Sequence, residues 1–251
     1  MVVGIDKFRE HFAGHEEQYA LIGGAACDLI FADAGLPFRA TKDLDVVLCV
    51  EVVNSNFATA FLGFLDAGGY EARQQSEGHK EFYRFHQPKD GSYPFMIELF
   101  SRRPGGFKLP DKFAIVKVPV DEDILSLSAI LLDEHYYAAL QNSRIVIDGI
   151  SLLSEDLLIP FKAKAFLDLT QRKANGDKVK NDDIKKHRRD VFRLAQLLPA
   201  DRQVKIAEAI ANDLREFLDN IRDDETFDPK AFKAPLTRAE GISLLETVYG
   251  L

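Results

Sequence analysis

The sequence predicts an α+β fold, in which a mixed β-sheet flanked by helices is followed by a C-terminal helical domain. Three observations point there. Short apolar runs alternate with helically spaced stretches through the first half, the texture changes after Pro119, and from Leu157 onward the spacing is helical to the end. The 251 residues suffice for one large or two modest domains. The spacing divides them into residues 1–120, a connecting helix and strand at 121–155, and a helical domain at 156–251.

Each element has its own signal. Tyr19–Ile22 is a short apolar strand that runs into Gly23-Gly24, and residues 25–34 then carry helical spacing. The β-branched run at 44–50 predicts a buried strand. Residues 54–66 place Phe57, Phe61, Phe64 and Leu65 on one helical face, with Gly68-Gly69 as the stop. Three strands follow at 70–75, 81–86 and 94–101, the last two forming a hairpin around Asp90-Gly91. Beyond Pro119, residues 122–141 read as a helix and 144–150 as one short strand. Ile184, His187, Val191, Leu194 and Leu198 mark a helix with Asp182 or Asp183 as its N-cap and Pro199 as its stop. An amphipathic helix is expected at 204–221, a loop at 222–235, and a last helix from Arg238 behind the capping-box pair Thr237 and Glu240.

Composition narrows the function. The formal charge is −8, from 32 Lys and Arg against 40 Asp and Glu. That balance argues against a protein that coats nucleic acid non-specifically, since such binding rests on excess cations. Cys27 and Cys49 are too few for a disulfide framework and read as buried thiols. No signal-peptide pattern opens the sequence and no apolar run reaches the roughly 20 residues needed to cross a bilayer. The expectation is a cytoplasmic protein with no membrane partner. His11 and His15 are spaced i, i+4 but lack the zinc-binding His-Glu-x-x-His pattern.

Three carboxylates stand out. Asp43 and Asp45 flank Leu44 at the start of a strand, where i and i+2 share a face about 6–7 Å apart. Glu98 is the one charge within the run Phe95–Phe100. A lone buried carboxylate costs several kcal/mol unless it is paired or bound to metal. Three of them on neighbouring strands repel one another, and hard oxygen ligands suit Mg²⁺. A two-ion clamp of this kind serves phosphoryl and nucleotidyl displacement. Taken singly, Asp43 as a strand-initiating cap, Asp45 paired with Lys42 or Arg39, and Glu98 paired with Arg102 are the simpler readings. Gly23-Gly24, between a strand and a helix, is a place where backbone N–H groups approach an anion. Neither a dinucleotide-binding nor a P-loop glycine pattern occurs.

These residues carry a resemblance. Leu21-Ile22-Gly23-Gly24-Ala25-Ala26, then Arg39-Ala40-Thr41-Lys42-Asp43-Leu44-Asp45-Val46, then an isolated strand carboxylate, is similar to the polymerase-β-type nucleotidyltransferase superfamily. In detail the sequence most resembles the bacterial AbiEii-like group, which includes toxin components of toxin–antitoxin systems. The resemblance covers about the first hundred residues well and implies a nucleotidyltransferase-like sheet with a catalytic domain at 1–120. It departs from the wider pattern in having glycine at 24, where serine is frequent, and in the long gap from Gly24 to Asp43.

The resemblance also implies roles. Asp43, Asp45 and Glu98 would be the catalytic and metal-binding acids, holding two Mg²⁺ (or Mn²⁺), with Glu98 helping to deprotonate the acceptor hydroxyl. Gly23, Gly24, Thr41 and Lys42 would hold the phosphates of an NTP. In the helical half, Lys162-Ala163-Lys164-Ala165 and Arg172 are similar to a lysine helix that faces the nucleotide. Lys162 and Lys164 cannot share a helix face, so one of the two is expected in the cleft. An intrahelical pair of Asp183 with His187 is expected beside them.

The implied activity is a metal-dependent transfer of NMP from NTP to an acceptor hydroxyl, with pyrophosphate released. RNA or tRNA is a possible acceptor and a cognate antitoxin a possible protein partner. Two alternatives stay open: a catalytically degenerate fold acting as a binding or regulatory module, and an enzyme whose acceptor is a small antibiotic-like molecule. Residues 160–195 hold eleven Lys and Arg against five Asp and Glu, so a basic segment exists within the acidic whole. An RNA-like acceptor is thereby permitted.

Overall fold

The structure is a computed structural model and describes residues 2–39, 41–49, 55–75, 81–101, 130, 131 and 133–251. The chain forms two compact units, one of residues 1–120 with 144–153 and the other of 121–143 with 154–251.

The first unit is built on a mixed seven-stranded sheet. Its elements are α1 (Ile5–His11), β1 (Tyr19–Ile22), α2 (Gly23–Asp33), β2 (Asp43–Leu48), α3 (Ser55–Gly68), β3 (Glu71–Gln75), β4 (Glu81–His86), β5 (Met96–Ser101), β6 (Arg144–Ile147) and β7 (Ile150–Leu153). The strand order is β3-β4-β5-β2-β1-β7-β6. β2 runs parallel to β5 and β1 parallel to β7, while the other neighbours are antiparallel.

Strand alternation gives the sheet two different faces. Tyr19, Leu21, Leu44, Val46, Ile97, Leu99 and Phe85 share one face by register, and all are fully buried. The aromatic faces of α1 and α3 meet Tyr19 and Phe85 there. Phe8 lies 5.4 Å from Tyr19 and 5.7 Å from Phe64, and Phe61 lies 5.6 Å from Phe85, each ring edge-on to the other. Burying one such side chain contributes about 1.5–3 kcal/mol, so this layer fixes which side of every strand faces inward. The opposite face carries Asp43, Asp45, Glu98 and Arg84.

Several boundaries differ from the sequence reading, for identifiable reasons. The strand expected at 44–50 begins at Asp43 and ends at Leu48, so both aspartates lie inside the ladder. The single strand expected at 144–150 is a hairpin of β6 and β7. Its two-residue loop, Asp148-Gly149, has φ of +48° and +75°, the pairing that a tight hairpin turn requires. β7 then adds to the sheet beside β1. Both cysteines are buried, as expected.

The second unit contains α4 (Glu134–Asn142), α5 (Glu155–Ala174), α6 (Asn181–Ala195), α7 (Glu208–Asp223), a 3₁₀ turn (Pro229–Phe232) and α8 (Arg238–Tyr249). Of the helix expected at 122–141, residues 122–129 and 132 lie outside the described residues. Residues 134–141 fall in α4, capped by Asp133, whose carboxylate accepts from the N–H groups of His135 and Tyr136. Asp182 and Asp183 are not caps. α6 begins at Asn181 behind Lys180, so they occupy its first turn, where the helix dipole favours them. The helix expected at 204–221 starts only at Glu208; before it, the Val204 N–H donates to the Val248 carbonyl at 2.8 Å. No helix among the described residues is long and apolar enough to cross a membrane.

The capping box at α8 is complete. The Thr237 side chain accepts from the Glu240 N–H, and Glu240 accepts from the Thr237 N–H at 2.7 Å. Those two donors of Thr237, the N–H first and then the hydroxyl, hold the Glu240 carboxyl below its ordinary range. Thr237→Ala is expected to lower unfolding free energy by about 1 kcal/mol, read from the shift of the urea midpoint at unchanged slope.

Candidate functional site

One register line crosses four strands of the sheet. Arg84 on β4 stands opposite Glu98 on β5, Glu98 opposite Asp45 on β2, and Asp45 opposite Ile22, the last residue of β1. The next residue, Gly23, opens α2. A cation, two carboxylates and a helix N-terminus therefore stand in one row.

The packing at the helix end is tight. Gly23 has φ +67°, a conformation that favours glycine, and a Cβ placed on it would lie 1.8 Å from Oδ2 of Asp45. The Asp45 carboxylate thus lies directly over the first residue of α2. A Cβ on Gly24 would lie 2.8 Å from Oγ1 of Thr41 and 3.5 Å from the Arg39 guanidinium. Both glycines are required by close approach, and they bring Asp45 and Thr41 to the helix N-terminus. The N-cap residue Ile22 supplies no side-chain cap and no acid occupies the first turn of α2, whose backbone dipole suits an anion. Asp43 and Asp45 are half-buried and share a face by strand parity. Lys42 is exposed, and with Thr41 it lines a cavity of about 450 Å³.

Glu98 is 6% exposed and is held by Arg84; the expected partner Arg102 lies outside the described residues. Nε and one terminal nitrogen of Arg84 donate to the same oxygen, Oε1, at 2.9 and 2.7 Å. Sequence reading missed Arg84, yet a signal existed. Positions 84 and 98 lie equally far on either side of Gly91, so the Asp90-Gly91 turn places them opposite each other.

This pairing bears on metal binding. Among the described residues, no three His, Cys, Asp or Glu side chains come together to hold a metal ion. Asp43 and Asp45 supply hard oxygen donors on one face and suit one divalent cation. The expected two-ion clamp needs Glu98 as well, and its Oε1 is committed to Arg84.

The two candidate lysines of the helical unit are engaged within that unit. Lys162 is neither solvated nor open: it is 5% exposed, with Nζ 3.5 Å from Oδ2 of the fully buried Asp190. Arg193 reaches the other Asp190 oxygen at 3.3 Å. Lys164, on another face of α5, pairs with Asp213 at 2.6 Å, and Asp213 also accepts from the Tyr136 hydroxyl at 3.0 Å. Arg172 pairs with Asp177 at 3.2 Å. Asp183 is paired with Lys186 at 3.3 Å.

No family model and no curated protein matches the sequence. Solved structures similar to the chain include an antigenic nucleotidyltransferase-like protein from Paracoccidioides brasiliensis. It is 16% identical, with 94% of this chain and 97% of that one covered at a TM-score of 0.46. A mutant of the Cid1 poly(U) polymerase bound to MgATP is 14% identical over 98% of this chain and 79% of that one, with a TM-score of 0.32. The MgGTP-bound Cid1 polymerase is 13% identical over 89% and 70%, with a TM-score of 0.28.

Two stability outcomes follow from these ion pairs. Arg84→Met leaves Glu98 without its partner beside Asp45 and is expected to cost about 3 kcal/mol, most of it recovered in Arg84→Met with Glu98→Gln. A double-mutant cycle by urea unfolding checks this. Asp190→Ala strands the buried Lys162 ammonium and is expected to cost about 3–5 kcal/mol in the same measurement.

Proposed function

We propose that this chain is a metal-dependent nucleotidyltransferase that moves an NMP from an NTP to an acceptor hydroxyl and releases pyrophosphate. The observation that carries the reading is the row of Glu98 and Asp45 ending on the Gly23-Gly24 opening of α2. Paired carboxylates beside a glycine-opened helix N-terminus suit a ligand that carries both phosphates and a divalent cation.

In this reading the backbone N–H groups of Gly23 and Gly24 hold the outer phosphates of the NTP, helped by the Thr41 hydroxyl and the exposed Lys42. Asp43 and Asp45 hold a divalent cation, Mg²⁺ or Mn²⁺, which when bound offsets charge on the phosphates. The acceptor hydroxyl oxygen forms its bond to the α-phosphorus as the bond to the bridging oxygen breaks, and pyrophosphate takes that electron pair. Glu98 stands on the far side of Asp45 from the glycines and accepts the hydroxyl proton. Arg84 touches none of the reacting atoms in this scheme and positions Glu98.

The finer assignment follows the sequence resemblance. We place the chain beside the AbiEii-like toxins, acting in the cytoplasm on an RNA or tRNA acceptor under the control of a cognate antitoxin. Lys162 or Lys164 would take a part at the nucleotide only after exchange of its present carboxylate partner.

Thermal unfolding tests the reading. A ligand at one hundred times its Kd adds about 2.7 kcal/mol, or roughly 5–10 °C in Tm for a chain of this size. ATP with Mg²⁺ is expected to raise Tm in this range, EDTA to remove the rise, and Asp43→Asn with Asp45→Asn to abolish it. Absence of any metal-dependent shift for all four NTPs at millimolar concentration would overturn the reading.

A further inference from the structure

The acid row carries a cation of its own. Arg84 and Glu98 face each other across the antiparallel β4–β5 ladder, and their side chains are 15% and 8% exposed. A guanidinium stays protonated in proteins and offers its donors in a fixed fork. Here Nε and one terminal nitrogen both donate to Oε1 of Glu98, at 2.9 and 2.7 Å. A slip of the strand does not release the arginine. Phe85, the next residue, is fully buried with its ring 5.6 Å from Phe61, so a one-residue shift would carry Arg84 into the aromatic layer.

The two facing carboxylates are engaged at opposite ends of the row. The guanidinium on Glu98 comes from β4, beyond β5, whereas Oδ2 of Asp45 lies over Gly23, which follows β1 on the other side of β2. A divalent cation shared by Asp45 and Glu98 needs both carboxylates turned toward one point. Among the described residues, no three acids, histidines or cysteines meet that condition. Drawing Glu98 into such a site would strand a buried guanidinium beside a second cation, and removing one partner is the costly way to break a buried pair. Asp43 and Asp45 share a strand face and form the donor set for one ion.

Resting on the nucleotidyltransferase reading, we propose that the site takes one divalent cation and that Arg84 supplies the second positive centre of the row in place of a second metal ion. A two-ion clamp offsets charge on the attacking and leaving oxygens together. In this chain the oxygens of Asp43 and Asp45 serve the ion that meets the NTP phosphates. The guanidinium compensates Glu98 permanently, with no exchange against ions in solution. Its two hydrogen bonds fall on Oε1 and leave Oε2 outside them. Arg84 is thus a positioning residue that also sets the metal stoichiometry.

The test counts Mn²⁺ on the whole chain. Free Mn²⁺ is read by electron paramagnetic resonance at saturating α,β-methylene NTP analogue, the tightest binder of the four bases being used. Wild type is expected to hold one Mn²⁺ per chain. Arg84→Met frees Glu98 as an oxygen donor and is expected to gain a second Mn²⁺ at millimolar metal, while Arg84→Lys keeps a cation there and is expected to stay at one. Should Arg84→Met prove unfolded by circular dichroism, Glu98→Gln decides in its place. Its Mn²⁺ affinity is expected within about twofold of wild type, where losing even the outer partner of a metal ligand costs about 10–100-fold. Two Mn²⁺ on the wild-type chain overturn the proposal, as do none with analogue bound, a folded Arg84→Met that holds only one, and a Glu98→Gln weakened tenfold or more. Two Mn²⁺ with analogue bound leave the nucleotidyltransferase reading standing. Failure to bind any of the four analogues overturns that reading, and this proposal with it.

Discussion

The site depends on one constraint, the parallel pairing of β2 with β5 that sets Asp45 against Glu98. Neighbouring strands lie about 4.8 Å apart, so the two carboxylates are forced into mutual repulsion inside the protein. The fold offsets this at both ends of the row. On one side Arg84 gives Glu98 two hydrogen bonds from its guanidinium. On the other, Asp45 lies over the positive end of α2, an interaction of about 0.3–1 kcal/mol at an exposed site and more when partly buried. A one-residue slip of β2 would turn both aspartates into the aromatic layer and Leu44 and Val46 out of it. The phenylalanines of α1 and α3 thus secure the acids on the opposite face, although they touch none of them.

The helical unit solves a related problem differently. Lys162 and Asp190 are both buried, and a buried pair returns about what its desolvation costs while punishing the loss of either partner. Arg193 shares the same carboxylate, so Asp190 ties α5 to its own helix, α6. Lys164, two residues from Lys162, is directed to Asp213 on α7 instead. The basic balance of residues 160–195 is therefore partly absorbed in structural pairs. It is not a uniformly free basic surface.

Much of the fold was legible in the sequence because its signals are local. The Phe spacing in α3, the capping box of Thr237 and Glu240, the turn at Asp90-Gly91 and the Gly-Gly after β1 act within a few residues of themselves. The hairpin of β6 and β7 is equally local: Asp148-Gly149 between apolar runs is its turn signal, where the sequence reading expects one short strand at 144–150. Arg84 was harder to see. Its role arises from a cross-strand register, and the arginine is ordinary until the turn at Gly91 is used to fold one strand onto the other.

The sequence by itself determined which carboxylates share a strand face, that two glycines follow β1, and that a helical region follows a sheet. These follow from periods of two and 3.6 residues and from backbone sterics, which the chain carries everywhere along its length. Only the tertiary structure decided that Glu98 stands against Asp45, that Arg84 pairs with it, and that Lys162 is buried against Asp190. Those outcomes join residues far apart in the sequence. Charge compensation between them is settled by strand order and helix packing, which no local pattern encodes.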